Sequence, residues 1–317
     1  MAMRLLIICS IAFIATTLPA AAQDIRPFDP DPFDWRQLEA RGYYGSPDCT
    51  NNRSDASAAR AIEICSQFIE SNASRLAIAG ALLVRGGRYE ERDEMPAAQA
   101  DYERAAALYT EEVEEAPNTA QNYAARSDAY YSLNRFEDAL ADLNHAILID
   151  SAFAAAYYRR ADVHFRLGNY TSAIADYDRT ALLGERMADR GTMRGGSPSE
   201  RPRLNPAITA SRCEARAAAG VELNVASNHC RDAMRASRER FAFSRGFLRF
   251  KQGDFAGAWE DFNTTAEDND TNGYAIYARG VAAIRLGRQA EGEADIARGR
   301  ELEGDDLDYY ANAGLRP

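Results

Sequence analysis

The sequence predicts an all-α fold, an α-α superhelix (solenoid) of stacked helical hairpins. Three features predict it: the chain resembles itself at a lag of 34 residues, apolar residues fall at helical spacing in two stretches per period, and small residues recur at a fixed place in each stretch. Tyr123, Arg126, Asp128, Leu133, Ala139, Ala141 and Asp142 return as Tyr157, Arg160, Asp162, Leu167, Ala173, Ala175 and Asp176. Further on, Arg245, Gly246, Gly253, Ala256 and Asp261 return as Arg279, Gly280, Gly287, Ala290 and Asp295. The two stretches of each unit are split by a loop at Asn134, Gly168, Gly253 or Gly287, so the unit is a hairpin. Small residues in the first helix (Ser127, Ala161, Gly246, Gly280) and the second (Ala139, Ala173, Ala258, Gly292) allow two backbones to approach closely.

Composition agrees with a long repetitive core. The 317 residues are 46% hydrophobic and 27% charged, which is neither a disordered nor a membrane-embedded profile. Net charge is -11, and Lys251 is the only lysine, so no nucleic acid is expected as a partner.

In chain order, residues 1–22 read as a secretory signal: Arg4 is a basic start, Leu5 to Leu18 an apolar run, and Ala20, Ala21 and Ala22 a small-residue cleavage site. That run falls short of the roughly 20 apolar residues a membrane-spanning helix needs, so no membrane insertion is expected after signal removal. Lipidation at Cys9 is disfavoured by the bulky Ile8 before it. Residues 23–56, with Pro27, Pro30 and Pro32, read as an extended arm, and residues 57–71 as a lone helix. In the first full unit the separations from Arg85 to Arg126 and from Ala98 to Ala139 exceed the period by about two helical turns. Its second helix is therefore expected to run through Glu115 and stop at Pro117. Residues 57–188 form a first repeat block, 189–205 a flexible Gly, Ser, Pro and Arg insertion, 206–303 a second block, and 304–317 a tail.

Over residues 119–184 and 238–302 the units resemble the tetratricopeptide repeat, whose first helix carries W-x2-L-G-x2-Y and whose second carries A-x3-F and a late proline. Tyr123 and Tyr157 stand where that family has tryptophan, and arginine replaces the leucine. Ala173-x3-Tyr177 and Ala258-x3-Phe262 fit the second helix, and the late proline is missing. The resemblance implies hairpins that nest into a curled array whose concave groove, lined by first helices, binds peptides. It places Ala124, Tyr158, Phe243 and Tyr277 on that groove, then Asp128, Asp162, Phe247 and Val281, then Tyr131, Phe165, Phe250 and Ile284 with Arg166, Lys251 and Arg285 beside them.

A charge pattern runs through the repeats. Arginine is followed sixteen residues later by aspartate at Arg85 and Asp101, Arg126 and Asp142, Arg160 and Asp176, Arg245 and Asp261, and Arg279 and Asp295. Two antiparallel helices bring such positions together, so a structural ladder of ion pairs is expected within each hairpin or between neighbours. The hairpin at 206–236 breaks the pattern, with Arg212 meeting His229 where the other units place aspartate.

Without Cys9, four cysteines remain. Cys213 and Cys230 occupy the inward places of one hairpin and are expected to form a disulfide, and Cys49 could tie the arm to Cys65. No cysteine or histidine spacing suits a metal, and no cofactor is expected. No nucleophile, P-loop or dinucleotide motif occurs, so no enzyme is expected. The acidic run Glu111, Glu112, Glu114 and Glu115 reads as a solvated helix end, and His164 as a packed histidine.

The functional expectation is a periplasmic or secreted scaffold or adaptor. Aromatic anchors at Tyr158, Phe243, Phe247 and Tyr277, with a basic stripe at Arg166, Lys251 and Arg285, would recognise an extended or helical segment of a partner protein, unless the aromatics serve as inter-repeat core. The second expectation is a cell-envelope factor that binds glycan or peptidoglycan fragments through the same aromatics.

Overall fold

The computed structural model describes residues 58–71, 73–192 and 205–317. The expected signal, the arm with Cys49, and residues 193–204 of the insertion lie outside the described residues.

Helix α1 (Ala58–Ile69) is followed by six hairpins: α2 (Arg75–Glu90) with α3 (Met95–Glu115), α4 (Ala120–Ser132) with α5 (Phe136–Ile149), and α6 (Ala154–Arg166) with α7 (Tyr170–Thr192). Then come α8 (Pro206–Ala219) with α9 (Leu223–Met234), α10 (Ala242–Lys251) with α11 (Phe255–Asp268), and α12 (Gly273–Arg285) with α13 (Gln289–Glu303). A 3₁₀ turn (Gly304–Leu307) and a short helix α14 (Asp308–Asn312) close the series. Helix α3 ends at Glu115, just before Pro117, so its extra length is the one the repeat spacing requires.

Local chemistry sets the hairpin boundaries. The turn needs one left-handed residue, supplied by Gly168 (φ 75°) in one unit and by Asn134 (φ 56°) in its neighbour, asparagine being among the few side chains that accept it. Side chains cap the starts of α12, α11 and α8: Asn272 accepts from the Ala275 amide at 3.0 Å, Asp254 from the Gly257 amide at 3.0 Å, and Asn205 from the Ala207 amide at 2.8 Å ahead of a first-turn proline.

Each helix packs on its neighbours in sequence. First helices also touch one another, α4 with α6, α8 with α10 and α10 with α12, where second helices make no comparable contact. The first helices are therefore the inner row of the curl. Small residues permit the approach inside a hairpin: a Cβ on Gly280 would stand 2.7 Å from the Gly292 carbonyl oxygen.

The two repeat blocks are one array. Helix α7 packs on α8, and one continuous core runs from Tyr158 and Tyr177 through Cys213 and Phe247 to Tyr277 and Leu315. Two boundaries differ from expectation. Helix α7 continues to Thr192 inside the expected insertion, because Glu185 to Arg190 contains no helix breaker and extends a helix already nucleated. Residues 304–317 are not a tail: Leu307, Tyr310, Ala313 and Leu315 are buried in the core.

Candidate functional site on the inner face

The inner face is held in register by the arginine ladder. In each of the five hairpins the guanidinium Nε and Nη2 donate to both oxygens of the aspartate sixteen residues on. For Arg85, Arg126, Arg160 and Arg279 these bonds are 2.7 to 2.8 Å. The remaining Nη1 of the same four reaches back to the helix that precedes the hairpin, at Ser66 of α1, Thr110 of α3, Asn144 of α5 and Asn263 of α11. One guanidinium thus fixes three helices, which only its planar fork of donors can do.

The unit at α8 and α9 is held differently. Arg212 and Arg216 both turn to Asp178 on α7, at 2.7 and 2.6 Å, and together these bonds outweigh burial to hold its carboxyl below the usual carboxylate range. His229 takes the place of the ladder aspartate; burial, then the charges of Arg212 and Arg216, outweigh Asp178 and Asp232 and push its imidazole down to about 4. The hairpin is stapled by a disulfide between Cys213 and Cys230, with Cα atoms 5.4 Å apart. Cys65 is also disulfide-bonded.

The inner face already holds a peptide segment, the chain's own residues 304–317. Tyr309 packs edge-on against Phe165 of α6 at 5.4 Å, and the Arg166 guanidinium lies over the Tyr309 ring at 4.7 Å. Tyr310 meets Phe243 and Phe247 of α10 at 5.0 and 5.7 Å and Tyr274 of α12 at 5.7 Å. Lys251 donates from Nζ to the Ala313 carbonyl oxygen at 2.8 Å, and Arg285 donates to the carbonyl oxygen of Arg316 at 3.1 Å.

The groove positions named from the repeat therefore divide. Phe243, Phe247, Arg166, Lys251 and Arg285 come together around this segment, and burial lowers the Lys251 ammonium below its ordinary value. Tyr158 and Tyr277 do not join them; both are core, Tyr158 meeting Tyr177 at a tilt with centroids 5.6 Å apart and sharing a hydrogen bond with Ser211, and Tyr277 sitting where a Cβ on Gly299 would collide with it. All four aromatics are buried, at 3% exposure or less.

Beneath Tyr310 lies a group the repeat pattern did not single out. Glu214 of α8 is 2% exposed and accepts a short hydrogen bond from the Ser244 hydroxyl. Burial pushes its carboxyl up to about 7, against the opposite pull of Ser244 and Tyr310. The Tyr309 and Tyr310 hydroxyls lie against each other and Tyr310 lies against Glu214, close enough to favour the carboxylate charge, but Glu214 Oε2 and both hydroxyls are buried without an ideal hydrogen-bond geometry. Tyr309, Tyr310 and Leu315 were also missed as site residues. The signal for them was the spacing of Leu307, Tyr310 and Ala313, three residues apart, in a stretch with no repeat partner.

The remaining candidates are structural. Arg75 of α2 forms ion pairs with Glu111, Glu112 and Glu115, so the acidic run is a solvated clasp between two helices. His164 is partly buried, and burial lowers its imidazole below the ordinary value. Among the described residues no three His, Cys, Asp or Glu side chains converge as metal ligands would, and no helix is long and apolar enough to cross a membrane.

These features define a class: an all-α solenoid of stacked helical hairpins. The TPR repeat family model matches residues 128–168. The fold is similar to a tetratricopeptide repeat protein from Parabacteroides merdae, with a TM-score of 0.54 and 14% identity over 89% of this chain and 98% of that one. It is also similar to PilW, a type IV pilus biogenesis factor, with a TM-score of 0.51 and 13% identity over 74% of this chain and 98% of that one. A segment of 57 residues is 44% identical to the Protein SGT1 homolog of Oryza sativa subsp. japonica, spanning 18% of this chain and 16% of that protein. Residues 128–168 thus match the tetratricopeptide repeat model, and the fold of the described residues is that of a tetratricopeptide repeat solenoid.

Proposed function

We propose that the protein is a periplasmic or secreted scaffold that binds a protein or peptide partner on the inner face of its array. One observation carries the reading: that face engages a peptide segment through aromatic side chains and through cations placed on backbone carbonyls, which is chemistry a segment of another protein can supply. Tetratricopeptide repeats are in general protein-binding scaffolds. Export is supported by the basic start, apolar run and alanines of residues 1–22, and by the Cys213 to Cys230 disulfide, which suits an oxidising compartment. Protein is favoured over glycan because Lys251 and Arg285 hold main-chain carbonyls, the groups a peptide backbone presents.

Two measurements test the proposal. Fractionation of a two-membrane bacterium expressing the full chain should recover it outside the cytoplasm with Cys213 and Cys230 oxidised; a cytoplasmic, reduced protein would remove the export reading. A photo-crosslinker at Tyr131, in the inner row, should capture a protein partner that the same crosslinker on the outer helices does not. Capture of glycan alone would overturn the partner class.

A further inference from the structure

The scaffold reading leaves open what the inner face recognises, and the segment seated there supplies a template. We propose that the face between α6 and α12 is a peptide-exchange site whose ligand is one helical turn carrying two adjacent aromatics and a leucine five positions beyond the second. Residues 309–315 hold that place until a partner protein presenting the same pattern displaces them. The inference rests on the inner face being the binding surface.

Four features support exchange over permanent burial. The contacts do not depend on chain identity: Tyr309 and Tyr310 fill an aromatic pocket, while Lys251 and Arg285 hold main-chain carbonyls that any peptide offers. Helix α14 has 5 residues, far too few to be stable alone, so the groove imposes its shape. The link to α13 turns at Gly304, φ 57° and ψ -134°, a backbone state that side chains resist, which makes it a ready hinge. Finally the seat is imperfect, since the buried Glu214 Oε2 finds only the nearby Tyr310 hydroxyl, at a geometry short of a well-formed hydrogen bond. A partner that donates squarely to Glu214 gains what the resident segment lacks. Because tethering gives the resident a local concentration on the order of millimolar, only a ligand of this pattern competes.

The test uses a fluorescent synthetic peptide of residues 304–317 with the full-length protein and with full-length Tyr310→Ser/Leu315→Ser, which weakens the resident segment. Anisotropy should show the variant binding the peptide at least about tenfold more tightly than the wild type, as expected when a tethered competitor is weakened. A peptide carrying the same two serines should not bind. Excess native peptide should raise deuterium exchange in residues 307–315 of the wild-type protein and leave the hairpins unchanged. Equal or absent binding by both proteins, with circular dichroism confirming the array, overturns the proposal; so does unchanged exchange in 307–315, which needs no variant. A dimer of the wild type that dissociates on adding peptide would assign the face to a second copy and also overturn it. If the peptide fails while crosslinking at Tyr131 still captures a protein, the scaffold reading stands and the exchange mechanism falls.

Discussion

Removing one rung of the arginine ladder should loosen the array locally and by a predictable amount. Take Asp142→Ala. Its carboxylate accepts two bonds of 2.7 Å from Arg126, and the two side chains are 7% and 16% exposed. A solvent-exposed pair contributes about 0 to 1 kcal/mol, whereas breaking a buried one costs about 3 to 5 kcal/mol because it strands a desolvated charge. The small residual exposure of Arg126 puts the loss between these, at about 2 to 3 kcal/mol. Arg126 also donates to Thr110 at 3.3 Å, so Arg126→Met should loosen the junction of α3 with α4 as well, which Asp142→Ala spares. The double variant Arg126→Met/Asp142→Ala should be little less stable than either single variant, giving a coupling of about 2 kcal/mol. Because repeats touch only their neighbours, unfolding need not be a single transition, and amide hydrogen exchange in α4 and α5 is the suitable assay. A coupling below about 0.5 kcal/mol, or exchange that rises uniformly along the chain, would refute the view that the ladder is a set of desolvated local clamps.

Three further outcomes follow from the geometry. Gly280→Ala places a methyl 2.7 Å from the Gly292 carbonyl and 2.9 Å from the Ile296 amide nitrogen, backbone atoms that cannot swing aside; overpacking should cost about 1 to 3 kcal/mol, part offset by better helix propensity, with thermal melting as the check. Reducing the Cys213 to Cys230 bond, which spans 17 positions, should cost about 3 kcal/mol and raise exchange chiefly in α8 and α9; no change in exchange there would argue against a stapling role. The raised carboxyl of Glu214 makes the seated segment sensitive to pH. Its folded value, about 7, lies above the ordinary 4.5, so the folded state keeps a proton that the unfolded chain releases. Stability contributed by this group is therefore full below about 4.5, falls as pH rises toward 7 and levels above it, by at most on the order of 3 kcal/mol. Glu214→Gln should flatten the slope between melts at pH 5 and pH 8; an unchanged slope would place the titrating group elsewhere.

The repeat made much of the architecture legible. A lag of 34 fixes hairpins, a lag of 16 fixes which arginine meets which aspartate, and the inward places of one hairpin fix the partners Cys213 and Cys230. Each of these contacts lies inside one unit, where helix geometry alone sets the distance. Spacing left open whether the ladder joined helices within a hairpin or between units; the guanidinium does both, with different nitrogens.

The sequence by itself determined that the chain is a solenoid of helical hairpins and offered candidate positions for its inner row. Only the tertiary structure decided whether that row was open. Tyr158 and Tyr277 proved to be core, while Phe243 and Phe247 are covered by Tyr310, more than sixty positions further along the chain. Periodicity reports contacts that recur, and residues 304–317 occur once. Their burial depends on the curvature of the stacked hairpins and on the turn at Gly304, neither of which any single repeat encodes.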